Sequence, residues 1–104
     1  MNKFLFVCEE NRLRSPTCEH VARLQGIAAD SAGTSSSAVR PLTLAAINRA
    51  EHIVCMTNYQ GTFIRTMAPR AMVTCWDIPD IYDYCQPDLI RIIELRLEEH
   101  GRIR

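Results

Sequence analysis

The 104-residue sequence has no excess of charge of either sign, because 12 Lys and Arg balance 12 Asp and Glu. Proteins that bind nucleic acid usually carry a basic excess on one face, so this balance argues against a nucleic-acid partner. No apolar run is long enough to span a membrane. The short apolar run near the N-terminus is followed at once by two glutamates, which is not the layout of a signal peptide. We therefore expect a cytoplasmic protein without a membrane partner.

Cysteine is present, but not in the spacing of a metal site or a disulfide framework. The five cysteines are odd in number, none forms a Cys-x-x-Cys pair, and no histidine cluster accompanies them. We expect reduced thiols, with no metal and no cofactor. A chain of this length forms one domain, residues 1–104, which can bury enough surface to fold without such supports.

Apolar segments alternate with helix-like segments along the chain. Residues 3–8 form a continuous apolar run, which is typical of a strand buried on both faces of a parallel sheet. The other predicted elements are strands at residues 27–31, 53–56 and 71–76, and helices from Ser15, Thr43, Tyr59 and Pro87. This alternation predicts an α/β fold with a four-stranded parallel sheet in the order 2-1-3-4 and helices on both faces. Ligands of such sheets bind where the strand order reverses, which is at the end of the first strand.

The segment from the first strand into the first helix, residues 8–15, has the composition of an oxyanion site. Ser15 suits a helix N-cap and Pro16 the first helical position, so the loop should end at a helix N-terminus. Backbone N–H groups and the helix dipole stabilise an anion there. Arg14 can hold two phosphate oxygens through its planar guanidinium. The same positive field favours the thiolate of Cys8, a nucleophile placed to attack phosphorus.

The remaining loop residues complete the predicted oxyanion site. Asn11 tolerates a left-handed backbone turn, and Ser15 can donate a hydrogen bond to the Cys8 sulfur. The predicted phosphate-binding residues are Glu9, Glu10, Asn11, Arg12, Leu13, Arg14 and Ser15. A phosphate, sulfate or similar oxyanion is the expected ligand.

Several motifs resemble those of the low-molecular-weight protein tyrosine phosphatases. Residues 8–17 carry Cys-x5-Arg-Ser-Pro-Thr directly after an N-terminal strand. Residues 30–34, Asp-Ser-Ala-Gly-Thr, look like the second-strand signature of that family, and residues 51–56 look like its third strand. Residues 78–82, Ile-Pro-Asp-Ile-Tyr, are similar to its Asp-Pro-Tyr element, and closer still to a compact predicted-phosphatase subgroup. The resemblance implies the phosphotyrosine protein phosphatase I-like fold.

The resemblance also implies an activity, the hydrolysis of a phosphomonoester in two steps. Cys8 would form a phosphocysteine, and Arg14 with the loop amides would stabilise the transferring phosphoryl group. An aspartate would protonate the leaving group and then activate water. The expected substrate is phosphotyrosine in a protein, and a small phosphoester is the other possibility.

The aspartate and an aromatic wall for the substrate come from the segment after the fourth strand. Asp80 is the expected acid because it matches the aspartate of the family in register, while Asp77 and Asp83 are the alternatives. Tyr82 would hold the substrate ring, together with Tyr84.

The loop departs from the family pattern at three positions. Glu9 and Glu10 replace an apolar residue and a glycine, and their carboxylates oppose a dianionic substrate wherever they face the mouth. Leu13 replaces the cysteine that many members use for a disulfide switch.

Three other functions remain open at this point. A thioredoxin-coupled arsenate reductase would use Cys75 and Cys85 as a thiol relay. A phosphocysteine carrier like the IIB domains of sugar phosphotransferase systems is disfavoured by Arg14. A catalytically weak, oxyanion-binding regulatory module is favoured by the two glutamates.

Overall fold

A computed structural model describes residues 3–103 of the chain. The elements follow one another as β1 (Lys3–Cys8), α1 (Arg14–Leu24), β2 (Ala28–Gly33), α2 (Leu44–Arg49), β3 (His52–Cys55), α3 (Asn58–Met67), β4 (Val73–Cys75) and α4 (Pro87–Ile103). The four strands form one parallel sheet in the order β2-β1-β3-β4. The predicted fold class and strand order are therefore confirmed.

The side chains of β1 alternate between two apolar cores, one on each face of the sheet. Phe4, Phe6 and Cys8 face the first core, to which α1 and α4 contribute Val21, Leu89 and Ile93 among others. Leu5 and Val7 face the second core, with Ile47 of α2 and Ile64 of α3. A central strand that is buried on both faces must be apolar throughout, which explains the unbroken apolar run of residues 3–8.

The bounds of several elements differ from the sequence prediction. Helix α1 begins at Arg14, and Leu13 rather than Ser15 is its N-cap. The Ser15 hydroxyl bonds to the Cys8 sulfur instead of capping the helix. Strand β2 extends to Gly33 because it pairs with β1 as far as Cys8. Strand β4 covers three residues instead of the predicted six, because only those pair with β3.

The starts of α2 and α3 follow ordinary capping chemistry. The Thr43 side chain accepts a hydrogen bond from the Ala46 N–H at the start of α2. At the start of α3, Thr57 and Gln60 form a capping box. Helix α4 begins at Pro87, as predicted. Among the helices within residues 3–103, none is both long and apolar enough to cross a membrane.

Candidate active site

Cys8 lies at the carboxyl end of the central strand, where the chain leaves the sheet on one side for β2 and later returns on the other side as β3. The residue is only 3% exposed, but it opens into a cavity of about 120 Å³. That volume corresponds to about four water molecules at ~30 Å³ each, which suits one small oxyanion. The cavity is lined by Cys8, Glu9, Glu10, Arg12, Leu13, Arg14 and Asp80.

The backbone of the 8–15 loop is held from behind by the segment that follows β2. Three consecutive carbonyls accept hydrogen bonds from it: Cys8 O from Thr34 N at 3.0 Å, Glu9 O from Ser35 N at 2.9 Å, and Glu10 O from Val39 N at 3.1 Å. In a planar trans peptide the N–H points opposite to the C=O. The next three N–H groups therefore point away from that segment, and the N–H of Asn11 donates to the Cys8 sulfur at 3.2 Å. The loop thus presents consecutive donors on its inner side.

Asn11 and Ser15 fix the shape of the loop and the surroundings of the sulfur. Asn11 has the predicted left-handed backbone, with φ of 56°. Its side chain is buried, and Nδ2 donates to the Ser15 and Ser31 hydroxyls at 2.9 Å each. Ser15 Oγ lies 2.9 Å from the Cys8 sulfur and 3.4 Å from the Ala32 carbonyl oxygen, and its proton can go to either acceptor. A thiolate can only accept, so with Cys8 ionised the Ser15 hydroxyl can join the Asn11 N–H as a second donor and stabilise the negative charge.

A buried carboxylate anchors this network from the far side. Ser31 Oγ donates to Glu19 Oε1 at 2.5 Å. Glu19 is buried, and it pairs with Arg40 and Arg23, each through an N–O distance of 2.9 Å. A buried carboxylate needs such cationic partners, because unpaired burial of a charge is costly. The chain of contacts from Arg40 to Cys8 therefore ties the loop to β2 and α1.

Arg14 lies in the cavity wall with its guanidinium fixed at two points. The side chain is nearly buried, at 5% exposure of the residue. Its Nη1 donates to the carbonyl of Ile78 at 2.9 Å, and its Nε lies 3.5 Å from Asp80 Oδ1. Held in this way, the planar donor group is pre-oriented for two oxygens of a tetrahedral anion.

Of the three candidate acids, only Asp80 lines the cavity. Its carboxylate is 64% exposed and lies at the mouth beside Arg14. Asp83 takes part in the turn before α4, where its N–H and carbonyl bond to Gln86. Asp77 is exposed and has a left-handed backbone, with φ of 54°. Asp80, the residue expected from the motif register, is therefore the one of the three that lies beside Arg14, and its role as the acid stays a prediction.

The two glutamates lie at the rim of the cavity together with Arg12. Glu9 is exposed, and Glu10 is half-buried with its Oε1 3.4 Å from the Ser37 hydroxyl. The main chains of both residues belong to the loop. The Glu10 carboxylate is directed to Ser37, in the segment behind the loop, whereas the exposed Glu9 lines both this cavity and the neighbouring groove.

The predicted aromatic wall is not part of the cavity. Tyr82 is partly buried against the core under α1 and α4, and it does not line the cavity, so its role in holding a substrate ring stays a prediction. Tyr84 lies beside His20, with ring centroids 6.5 Å apart. A different tyrosine, Tyr59 of α3, is 71% exposed and lines a groove next to the cavity.

The structure does not bring together the thiols of an arsenate-reductase relay. Cys75 packs into the core between the sheet, α2 and α3, on the opposite face from Cys8. Cys85 lies beside α1, where its N–H donates to the Thr17 hydroxyl at 3.0 Å. Cys18 is fully buried, and burial raises the pKa of its thiol well above the usual value. Within residues 3–103, no three His, Cys, Asp or Glu side chains converge as metal ligands would.

Sequence reasoning assigned no role to Ser31, Glu19 and Gly33. Ser31 and Gly33 belong to the Asp-Ser-Ala-Gly-Thr motif, and that motif could have indicated that they contribute to the site. A Cβ at Gly33 would lie 2.5 Å from the Glu9 carbonyl oxygen and 3.0 Å from the Asn11 nitrogen, so the close approach of the 8–15 loop to β2 requires glycine. Glu19 carries no comparable signal, since a glutamate on a helix is usually solvated.

Comparison with known proteins agrees with this architecture. The tyrosine phosphatase Wzb from Escherichia coli K30, in complex with phosphate, superposes with a TM-score of 0.78 at 18% identity, covering 97% of this chain and 96% of that one. The YwlE arginine phosphatase from Geobacillus stearothermophilus gives 0.76 at 19% identity over 98% and 94% of the chains. SP-PTP, a low-molecular-weight protein tyrosine phosphatase from Streptococcus pyogenes, gives 0.76 at 16% over 95% and 93%.

No family model and no curated protein sequence matches this chain. The similarity to these solved structures therefore shows a shared fold, that of the low-molecular-weight tyrosine phosphatases.

Proposed function

We propose that the chain is a phosphatase of the low-molecular-weight tyrosine phosphatase family, which hydrolyses phosphotyrosine in proteins through a phosphocysteine on Cys8. One observation carries the proposal. The Cys8 sulfur accepts a hydrogen bond from the Asn11 N–H and lies 2.9 Å from the Ser15 hydroxyl, at the base of a small cavity whose wall also contains Arg14 and Asp80. A nucleophile, a bidentate anion clamp and a carboxyl group are thus the three groups that phosphoryl transfer to a thiolate requires.

The first step forms the phosphocysteine. The phosphoryl oxygens take the inner N–H groups of the loop and the guanidinium of Arg14, which exchanges Asp80 for the substrate. The Cys8 thiolate attacks phosphorus, the sulfur–phosphorus bond forms, and the phosphorus–oxygen bond to the leaving group breaks. A protonated Asp80 gives its proton to the departing phenolate oxygen.

The second step returns the free enzyme. The Asp80 carboxylate now accepts a proton from a water molecule, whose oxygen attacks phosphorus as the sulfur–phosphorus bond breaks. The thiolate leaves with its electron pair, and the Ser15 hydroxyl stabilises that charge. Inorganic phosphate is the product, and neither step as written uses a metal or a cofactor.

The test is turnover of para-nitrophenyl phosphate and a phosphotyrosine peptide between pH 5 and 7 by wild type, Cys8→Ser, Asp80→Asn and Asp83→Asn. We expect no turnover by Cys8→Ser and a fall in kcat of about 10²- to 10⁴-fold in Asp80→Asn, the usual contribution of a positioned acid. Asp83→Asn, the matched control outside the cavity, should remain near wild type. Activity that survives Cys8→Ser would disprove the proposal.

Acid-quenched mass spectrometry of the same reactions separates hydrolase from carrier. A hydrolase accumulates phosphate, and its phosphocysteine appears only during turnover. A protein that retains the phosphoryl group on Cys8 without releasing phosphate would be a carrier, and one that binds phosphate without reacting would be a regulatory module.

A second substrate class is favoured by the acidic rim. Phosphoarginine carries a guanidinium next to its phosphoryl group, and Glu9 and Glu10 would attract that cation where they oppose a phosphotyrosine dianion. One of the proteins of the same fold is named as an arginine phosphatase. The ratio of kcat/KM for phosphoarginine and phosphotyrosine peptides of one sequence decides between the two, and Glu9→Gln with Glu10→Gln should shift it toward phosphotyrosine.

A further inference from the structure

A groove lies next to the oxyanion cavity and shares a wall with it. The groove has a volume of about 210 Å³ and is lined by Glu9, Thr34, Ser35, Tyr59 and Phe63. Since Glu9 also lines the cavity, the groove lies within reach of residues that flank a phosphorylated residue held in the cavity. The volume corresponds to about seven water molecules at ~30 Å³ each, which is enough for the end of one long side chain. We call this feature the Tyr59 groove.

The walls of the Tyr59 groove are held by the fold. On one side, the Ser35 N–H donates to the Glu9 carbonyl at 2.9 Å, so the main chain of Glu9 is fixed. On the other side, Tyr59 and Phe63 lie four residues apart on α3, which places them on one face of the helix. The capping box that starts with Thr57 secures the first turn of that helix. The backbone on both sides of the groove is therefore fixed by the fold.

The chemistry of the groove selects a cation. Glu9 is the charged residue among the five that line it, and its side chain is exposed. Tyr59 offers an exposed ring face, to which ammonium and guanidinium groups bind. The N-terminus of α3 carries about half a positive charge, which is smaller than the full charge of Glu9 and is satisfied by its own capping box. An acidic side chain would meet Glu9, and an apolar one would remove water from that carboxylate without replacing it.

We propose that the Tyr59 groove binds a lysine or arginine side chain that flanks the phosphorylated residue of a protein substrate. The proposal rests on the proposed function in one respect, that the cavity holds the phosphoryl group of that substrate. The proposal gives Glu9 a role. Its carboxylate weakens the binding of an isolated phosphate dianion, but it favours a phosphorylated residue that has a basic neighbour in the sequence.

The experiment measures peptide affinity by fluorescence anisotropy in the Cys8→Ser background, so that it does not depend on turnover. Phosphotyrosine peptides with an alanine background carry one arginine at position −2, −1, +1 or +2, and matched peptides carry glutamate or alanine there. We expect arginine at one position to improve affinity about fivefold over alanine, the size of one cation–π contact with one exposed ion pair. Glutamate should weaken binding.

Variants then test whether the preference for arginine comes from the Tyr59 groove. Glu9→Gln and Tyr59→Ala should each bring the ratio of arginine to alanine peptide affinities close to one, and Tyr59→Phe should restore it, because the ring face remains. Glu94→Gln, on the exposed side of α4, is the control that should keep the full ratio.

Each outcome supports or overturns the proposal that the Tyr59 groove binds a basic side chain. Equal affinities at all four positions, a preference for glutamate, a preference that survives both variants, or no measurable peptide binding would overturn the proposal. Turnover of para-nitrophenyl phosphate by the wild type is measured in parallel. If the wild type does not turn over para-nitrophenyl phosphate, the hydrolase function is refuted. The affinity ratios still test whether the Tyr59 groove binds a basic side chain.

Discussion

At the scale of single residues, the site depends on side chains that orient other side chains. Asn11 does not line the cavity, yet its Nδ2 links the hydroxyls of Ser15 and Ser31. The left-handed backbone at Asn11 is what turns its N–H toward the Cys8 sulfur. Arg14 is held similarly by the carbonyl of Ile78. In the proposed reaction such supports would fix the reacting groups before substrate binds, which is the main source of electrostatic catalysis.

The contacts of Arg14 predict that lysine cannot replace its planar guanidinium. Arg14→Lys keeps the charge but loses the paired donors and the fixed contact with Ile78. We expect kcat/KM for para-nitrophenyl phosphate to fall about 10²- to 10³-fold, the cost of losing one well-placed donor to a developing anion. Arg91→Lys, on the exposed side of α4, is the matched control and should stay near wild type. A fall of less than threefold in Arg14→Lys would contradict the assigned clamp.

The buried thiols should be silent in the folded protein. Burial raises the pKa of Cys18 well above its usual value, and burial together with the neighbouring Cys75 raises the pKa of Cys55 to about 12. Because the thiolate is the reactive form, iodoacetamide at pH 7 should not label Cys18 or Cys55 until urea unfolds the chain. Peptide mapping by mass spectrometry gives the extent at each cysteine. Labelling of either residue in the native protein at the rate of a free thiol would show that its site opens.

At the scale of elements, the 8–15 loop takes its shape from the end of β2 as well as from its own residues. Strand β2 pairs with β1 as far as Gly33, and the segment after it binds three loop carbonyls. The absence of a side chain at Gly33 lets the two backbones approach. The loop is therefore formed jointly by two segments that are far apart in the sequence.

Gly33→Ala tests this dependence directly. Its methyl group would lie 2.5 Å from the Glu9 carbonyl oxygen, so the 8–15 loop must shift. We expect a loss of activity of at least tenfold and weaker binding of phosphate, because misplacement by about 1 Å costs on the order of 10²-fold in well-oriented reactions. Kinetics and phosphate titration give both quantities, with circular dichroism to confirm folding.

Gly101→Ala is the control for that variant. Its added Cβ would meet nothing within 4 Å, and its position in α4 favours alanine over glycine. Activity should be unchanged and the melting temperature equal or slightly higher. If Gly33→Ala were as active as Gly101→Ala, the loop would not depend on the close approach at β2.

At the scale of the whole molecule, the sheet is assembled from strands that meet only in three dimensions. The ion pair of Lys3 with Asp30, at 2.8 Å, joins the outer strand β2 to the central strand. A hydrogen bond from Lys3, followed by the nearby positive charges, lowers the pKa of Asp30 below its usual value. The stabilisation from this pair is thus present above the unfolded pKa, about 3.9 for an aspartate, and is lost as the pH falls through the lower folded value.

Asp30→Asn should therefore destabilise the protein in a pH-dependent way. We expect a loss of about 0.2–1 kcal/mol in the free energy of unfolding at pH 7, the usual size for a partly exposed pair. The difference from wild type should shrink toward zero as the pH falls below the unfolded pKa. Urea unfolding at several pH values measures it. A difference that stays constant from pH 7 to pH 2.5 would show that the pair contributes nothing through charge.

Much of the architecture was already determined by the sequence, because its signals are local. The unbroken apolar run of β1 requires burial on both faces, and the alternation of strands and helices favours a parallel sheet. The spacing of Cys8 and Arg14 between a strand and a helix places both at one anion site. The left-handed turn at Asn11 also follows from residue type. Each of these depends on contacts within about one turn or one loop.

Only the tertiary structure could decide what depends on distant segments. Asp80 lies beside Arg14 because the chain after β4 brings the Ile78 carbonyl and Asp80 to a residue more than sixty positions earlier. Glu19 becomes a buried anchor because Arg40 and Ser31 reach it from β2 and the segment after it. Tyr59 lies near the 8–15 loop because β3, which leads into α3, pairs with β1. Such positions result from packing of the whole sheet, for which a local pattern carries no signal.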